Sequence, residues 1–155
     1  MHTISFRCLG AVVCGLLLTI CGGNACAALG QAPSVYGVSA LVSTPTVQSG
    51  VYRHHRTQLE NGTTIDEYST SAGSVFAVAW RGPVLPDLQI LLGSYFEIFK
   101  ATTEQTRASG VRGGPVTVDR DDLVLNSNGR MRNFFGYAYL PVLVPGGVNI
   151  KDVLP

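Results

Sequence analysis

Between Leu88 and Phe99 the apolar side chains recur at the spacing of an α-helix. Leu88, Leu91, Leu92, Tyr95, Phe96 and Phe99 fall at i, i+3, i+4, i+7, i+8 and i+11, one stripe of a 3.6-residue period. Gln89, Glu97, Lys100 and Glu104 fall on the opposite side. Pro86 suits a first helical turn, and Asp87 places a negative charge at the helix N-terminus. Gly93 weakens the helix by about 1 kcal/mol relative to Ala and is expected to mark a close packing point. The segments on both sides read as strands, so the stripe must be buried against a sheet.

Upstream, Asn61-Gly62 is the sequence of a two-residue type I′ hairpin turn, in which both central residues need positive φ. That turn predicts strands at about 51–60 and 63–70. It sets Glu60 opposite Thr63, Gln58 opposite Ile65 and Arg56 opposite Glu67, a pairing of opposite charges. In the same register His55 meets Tyr68 and Thr57 meets Asp66. Val75–Trp80 is a continuous apolar run short enough to be a strand buried on both faces. Alternation sends Phe76, Val78 and Trp80 one way and Val75, Ala77 and Ala79 the other, a small-residue face that a helix can approach closely.

After the helix, residues 108–115 (ASGVRGGP) form a loop, and 116–119 and 123–126 are short strands around an acidic turn. Residues 132–140 follow the Ser127-Asn128-Gly129 turn, with Phe135, Tyr137 and Tyr139 alternating on one face. The order is β-β-β-α-β-β-β. Strand runs around a single helix define an α+β fold, here an antiparallel β-sheet with one amphipathic helix packed on one face.

The N-terminus assigns a compartment. Arg7 precedes thirteen uncharged, strongly apolar residues, Cys8–Ile20; Gly22, Gly23 and Asn24 follow, and then the small-residue site Ala25-Cys26-Ala27. That order is a cleavable secretory signal over residues 1–27, with an apolar stretch shorter than the roughly 20 residues of a spanning helix. The lipoprotein pattern does not fit, because Ile20 before Cys21 is too large and Gly23 stands where Cys26 would need an aliphatic residue. Residues 28–50 then read as an extended arm with a short edge strand near Val35–Tyr36, residues 51–141 as a single domain, and 142–155 as a loosely attached tail.

Cysteine usage sharpens this. Cys8, Cys14, Cys21 and Cys26 all precede the expected cleavage point. The product is thiol-free, which excludes a thiol enzyme, a zinc–thiolate module and any disulfide. It keeps 128 of the 155 residues, enough for one domain with a real core. Loss of Arg7 leaves ten Lys/Arg against ten Asp/Glu, so nothing marks a nucleic-acid partner.

The stretch VFAVAWRGPVLPDLQILLGSYF (Val75–Phe96), with the leader, the upstream EYST and the downstream GRMRNFFGYAYLP, resembles a family of secreted proteobacterial proteins catalogued as domain of unknown function 2844. The resemblance covers most of the chain after the leader. Its core is WxGPxxPDLxxLLG: Trp80, Gly82, Pro83, Pro86, Asp87, Leu88, Leu91, Leu92 and Gly93. It implies export from a Gram-negative cell and brings no activity, cofactor or catalytic residue.

Candidate sites are few. His54 and His55 point to opposite faces of a strand and do not converge on one metal; His55 is expected to join Asp66 and Tyr68 in a polar cluster. Asp119, Asp121 and Asp122 lack the glycine and spacing of a calcium loop and read as a surface turn. Gly110, Arg112, Gly113 and Gly114 lack the Lys-Ser/Thr ending of a phosphate loop. Phe135, Tyr137 and Tyr139 are a platform for sugar rings or an extended peptide, or else core. Neither a Gly-x-Ser-x-Gly elbow nor a His-Glu-x-x-His helix is present. The leading expectation is an exported, non-catalytic domain that binds another envelope component through its sheet face or an edge strand, with no metal or cofactor. The alternative is a small periplasmic hydrolase using His55 with Asp66 or Glu67.

Overall fold

The computed structural model describes residues 29–33, 40–110 and 113–154, with 40–49 described by backbone alone. The leader, the strand expected near Val35–Tyr36 and Arg112 of the glycine-rich loop lie outside the described residues. Seven strands form one sheet: β1 (Ala40–Ser49), β2 (Tyr52–Leu59), β3 (Thr64–Thr70), β4 (Val75–Gly82), β5 (Val116–Asp119), β6 (Val124–Arg130) and β7 (Asn133–Tyr139). Their spatial order is β1-β2-β3-β4-β7-β6-β5, and every neighbouring pair is antiparallel. The helical crossover after β4 carries the chain to the far edge, and the β5-β6-β7 meander returns it to the centre. The α+β class read from the sequence holds, with one strand more than the expected six.

That extra strand, β1, comes from the segment expected to be an extended arm. Leu29 is also part of the core, 2% exposed. Its N–H donates to the Leu91 carbonyl at 3.0 Å, and Gly30 and Gln31 exchange backbone hydrogen bonds with Val75. Residues 29–31 therefore dock against the start of β4 rather than extending away.

The hairpin between β2 and β3 forms where Asn61-Gly62 predicts it, but its register differs by one residue. Only Gly62 has positive φ, +83°. The Leu59 N–H donates to Thr63 O at 2.8 Å and the Gly62 N–H to Leu59 O at 2.9 Å. This is a three-residue loop in which Gly62 takes the left-handed position, and the Asn61 side chain caps it by accepting from the Thr63 N–H at 2.9 Å. The extra loop residue pairs Arg56 with Asp66, His55 with Glu67 and His54 with Tyr68. The expected pairs Arg56–Glu67, Thr57–Asp66 and His55–Tyr68 do not form, because a one-residue slip changes every cross-strand partner.

A second irregularity lies opposite, between Tyr68 and Ser69, where Tyr68 pairs with Ala77 and Ser69 with Val75. This bulge leaves Phe76 unpaired with β3 and reorients the start of β4. Val75, Val78 and Trp80 enter the main core, while Phe76 joins Ala77 and Tyr68 on the other side. Strict alternation would place Phe76 with Trp80.

The helical stripe is real but interrupted. α1 (Leu88–Leu92) is capped by Asp87, whose Oδ1 accepts from the N–H groups of Gln89 and Ile90 at 2.9 and 3.2 Å. Pro86 precedes this cap and is buried. Gly93 (φ +53°, ψ −123°) ends α1, and a 3-10 turn over Gly93–Tyr95 leads into α2 (Phe96–Ala108). Gly93 thus marks a break in the helix. Leu88, Leu91 and Leu92 are buried with Ile65, Val78, Trp80, Leu125 and Ala138. Each such aliphatic contributes roughly 1.5–3 kcal/mol through burial. Tyr95, Phe96, Ile98 and Phe99 pack around the margin.

Candidate functional site

The motif around Trp80 builds the core rather than a site. The Trp80 ring crosses Gly136: a Cβ on Gly136 would lie 2.4 Å from Trp80 Cζ2 and 2.5 Å from the Asn126 carbonyl oxygen. A Cβ on Gly82 would meet Thr63 Cα at 2.5 Å, and the Thr63 hydroxyl donates to Val84 O at 2.7 Å. These contacts clamp the hairpin tip against the segment leading to α1. Trp80 Nε1 is buried with no hydrogen-bond partner among the described residues.

The chemistry lies on the other face of the sheet, and register defines it. One row runs Arg56, Asp66, Ala79, Tyr137, Asn126 and Thr117 across six strands. The next runs His54, Tyr68, Ala77, Tyr139, Val124 and Asp119. In both rows β4 supplies an alanine, with larger side chains on each side. Strands are about 4.8 Å apart, so the β3 and β7 side chains stand roughly 10 Å apart. The result is a channel along β4, floored by Ala77 and Ala79 and walled by Asp66 and Tyr68 on one side and Tyr137 and Tyr139 on the other.

On the β3 wall Asp66 is a node. His54 Nε2 lies 2.6 Å from Asp66 Oδ1, Arg56 Nε donates to the same oxygen at 2.7 Å, and Arg56 Nη2 donates to Oδ2 at 3.3 Å. The hydrogen bond from Asp66, reinforced by its charge, holds the Arg56 guanidinium above its ordinary pKa. The His54 ring stacks on Tyr68 at 4.6 Å between centroids and 9° between planes. Burial, then the neighbouring Asp66 charge, pushes the Tyr68 phenol up to about 12. At neutral pH this phenol is a hydrogen-bond donor and not a nucleophile. On the β7 wall Tyr137 and Tyr139 stack at 6.5 Å; burial, followed by the charges of Tyr137 and Asp119, raises the Tyr139 phenol. Phe135 continues the wall, 38% exposed.

The C-terminal residues cover part of this channel. A 3-10 turn at Pro141–Leu143 follows β7, and α3 (Ile150–Val153) is capped by Asn149. Ile150, Val153 and Leu154 pack against the Tyr68–Phe76–Ala77 cluster. The small-residue face thus receives this short helix, while α1 packs on the face of Val78 and Trp80. The tail read as loosely attached is seated on the sheet. Open space remains on both sides of Leu154. About 480 Å³ lies toward Arg56, Asp66, Tyr68, Ala79 and Arg81, and about 330 Å³ lies toward Tyr137, Tyr139 and Lys151.

Of the expected polar cluster, Asp66 and Tyr68 share the channel but His55 does not. His55 lies opposite Glu67 on the helix-covered face, where Glu67 is 2% exposed and both residues have interactions of their own. A His55–Asp66 pair is therefore excluded by the register. Phe135, Tyr137 and Tyr139 do share one face, and it is the face away from α1. Sequence reading missed His54, Arg56 and the α3 aliphatics as channel residues; the Ala77/Ala79 alternation was the signal for the floor. In the acidic turn Arg120 Nε donates to Asp122 Oδ1 at 2.8 Å, a bond that holds the Asp122 carboxyl below its usual range. Among the described residues no group of three His, Cys, Asp or Glu is placed to hold a metal ion. Nor is any helix among them long and apolar enough to cross a membrane.

Fold and site together define an α+β protein with a helix-covered sheet face and, opposite, an alanine-floored channel walled by aromatic and ion-paired side chains. The family model described as "Protein of unknown function (DUF2844)" matches residues 25–153, and the chain belongs to that family. No curated protein and no solved structure gives a significant match.

Proposed function

We propose that this is an exported, non-catalytic domain of the cell envelope that holds an elongated envelope component in the channel along β4. The channel itself carries the reading. It is concave, has an apolar floor and aromatic wall, and presents a few fixed polar groups, the usual composition of a binding site. The polar groups suit recognition better than turnover. Asp66 is neutralised by Arg56 as well as facing His54, so it is poorly placed to activate the imidazole as a base. Tyr68 keeps its proton at neutral pH.

Export is supported by the leader pattern of residues 1–27, cleavage of which leaves the part from Ala28 onward. Leu29 at the start of that part is a core residue.

Two measurements test the reading. Fractionation with N-terminal sequencing is expected to recover a product beginning at Ala28 outside the cytoplasm; a cytoplasmic, unprocessed chain overturns export. Immobilised mature protein is expected to retain an envelope component that Tyr137→Ala, folded by circular dichroism, releases. Equal retention by both moves the site elsewhere. Turnover of a hydrolase substrate that His54→Ala abolishes overturns the non-catalytic assignment.

A further inference from the structure

Resting on the binding reading above, we infer that the Val148–Leu154 segment is a detachable strap over the channel, and that the ligand is a partner peptide presenting aliphatic side chains at i, i+3 and i+4. The segment that fills the channel shows which chemistry the channel accepts. Ile150, Val153 and Leu154 occupy those three positions, one face of a helical turn, and they seat on Tyr68, Phe76 and Ala77. This is helix-in-groove recognition, here made within one chain.

Its attachment is of one kind only. The N–H groups of Val148, Lys151, Asp152 and Leu154 donate to Pro145 O, Asn149 Oδ1, Asn149 O and Ile150 O, all within the segment and its connector. Among the described residues no hydrogen bond or ion pair joins 144–154 to the sheet. Pro145-Gly146-Gly147 connects the strap to the domain, with Gly147 at φ +85°, and Ile150, Val153 and Leu154 stay partly exposed. Lifting the strap therefore breaks apolar contacts and leaves no backbone group of the sheet unpaired. Seated, it leaves about 480 Å³ open beyond Leu154, against Ala79 and the Arg56–Asp66 pair. A longer peptide entering the channel would fill that space, which Asp152, Val153 and Leu154 of the strap only border.

The test uses the mature chain and a fluorescein-labelled peptide of the strap's own sequence, VNIKDVL. A tethered segment competes at an effective concentration of order millimolar. Wild type is therefore expected to bind the free peptide at least about tenfold more weakly than a strap-released Val153→Ser/Leu154→Ser variant. Ala77→Val in the released background, which narrows the floor under the strap's own seat, is expected to remove the binding. Failure of the folded released variant to bind, or binding unaffected by Ala77→Val, overturns the inference. Should the released variant not fold, hydrogen exchange on wild type decides. The Asp152 and Leu154 amides are expected to exchange by local opening, well before the β4 amides, and exchange only with global unfolding overturns the strap. A released variant that ignores the peptide, yet retains an envelope component that Tyr137→Ala loses, overturns this inference while leaving the binding function standing.

Discussion

His54 Nε2 sits 2.6 Å from Asp66 Oδ1, while its neighbour His55 faces the opposite side of the sheet beside Glu67. The two histidines are therefore separable by experiment. His54→Ala is expected to weaken ligand retention in the channel, and His55→Ala to leave it unchanged. Asp66→Asn removes the charge that pairs with Arg56 and leaves one oxygen to accept from it; because the pair is partly open to solvent, the stability cost is expected to be about 1 kcal/mol or less. Urea titration of the variants alongside a retention assay checks both statements. The reverse pattern for the histidines would place the site on the helix-covered face.

Tyr68 makes the fold sensitive to alkali. Its folded pKa, about 12, exceeds the ordinary value of 10.0, so above pH 10 the unfolded chain loses a proton that the folded chain keeps. The stabilisation is fully present below about pH 10 and is lost as pH rises through 12. With the partial exposure of the site, the loss is on the order of 1–2 kcal/mol. Denaturation at pH 8 and pH 11.5 is expected to show this difference in wild type and a smaller one in Tyr68→Phe. Equal slopes in the two proteins would remove the assignment.

Gly136 lies beneath the Trp80 ring. A methyl group there meets ring carbon at 2.4 Å and a backbone oxygen at 2.5 Å, and the carbonyl belongs to a paired strand that has little freedom to move. Gly136→Ala is expected to destabilise by about 3 kcal/mol, the upper range for overpacking. Trp80→Leu in the same chain is expected to recover only part of this, since the Asn126 contact persists. Thermal unfolding of the single and double variants gives the coupling.

Asp87 caps α1 through two N–H groups. Asp87→Ala is expected to cost about 1 kcal/mol and Asp87→Asn much less, because the amide oxygen still accepts. Chemical denaturation distinguishes them. Equal losses would show that the charge matters more than the hydrogen bonds.

Much of the fold is legible in local pattern. The stripe from Leu88 to Phe99 specified a helix and its buried face, Asp87 its start, and Asn61-Gly62 a hairpin tip. The departures share one cause, the insertion of single residues into a periodic pattern. Whether Asn61-Gly62 closes a two- or a three-residue loop depends on the φ of Asn61 and on the docking of Thr63 against Gly82 and Val84. Neither can be read from the turn dipeptide. The bulge opposite Phe76 likewise answers to what packs on each face. Each shift is one residue long, yet together they decide that His54, and not His55, enters the site.

What the sequence by itself determined is the set of side chains each segment buries: helix stripe, alternating strands, and alanines on one face of β4. Period and composition are local properties, and local sterics express them. What only the tertiary structure decided is which segment covers which face. The α1 leucines and the α3 aliphatics are equally apolar, and nothing local distinguishes the face of Trp80 from the face of Ala77. The choice follows from the chain path: the crossover to β5 carries α1 over the Val78–Trp80 side, and the turn after β7 returns Ile150–Leu154 to the other. Burial is non-directional and rewards any close apolar contact, so connectivity selects among the contacts that pattern allows. The channel along β4 is what that selection leaves open.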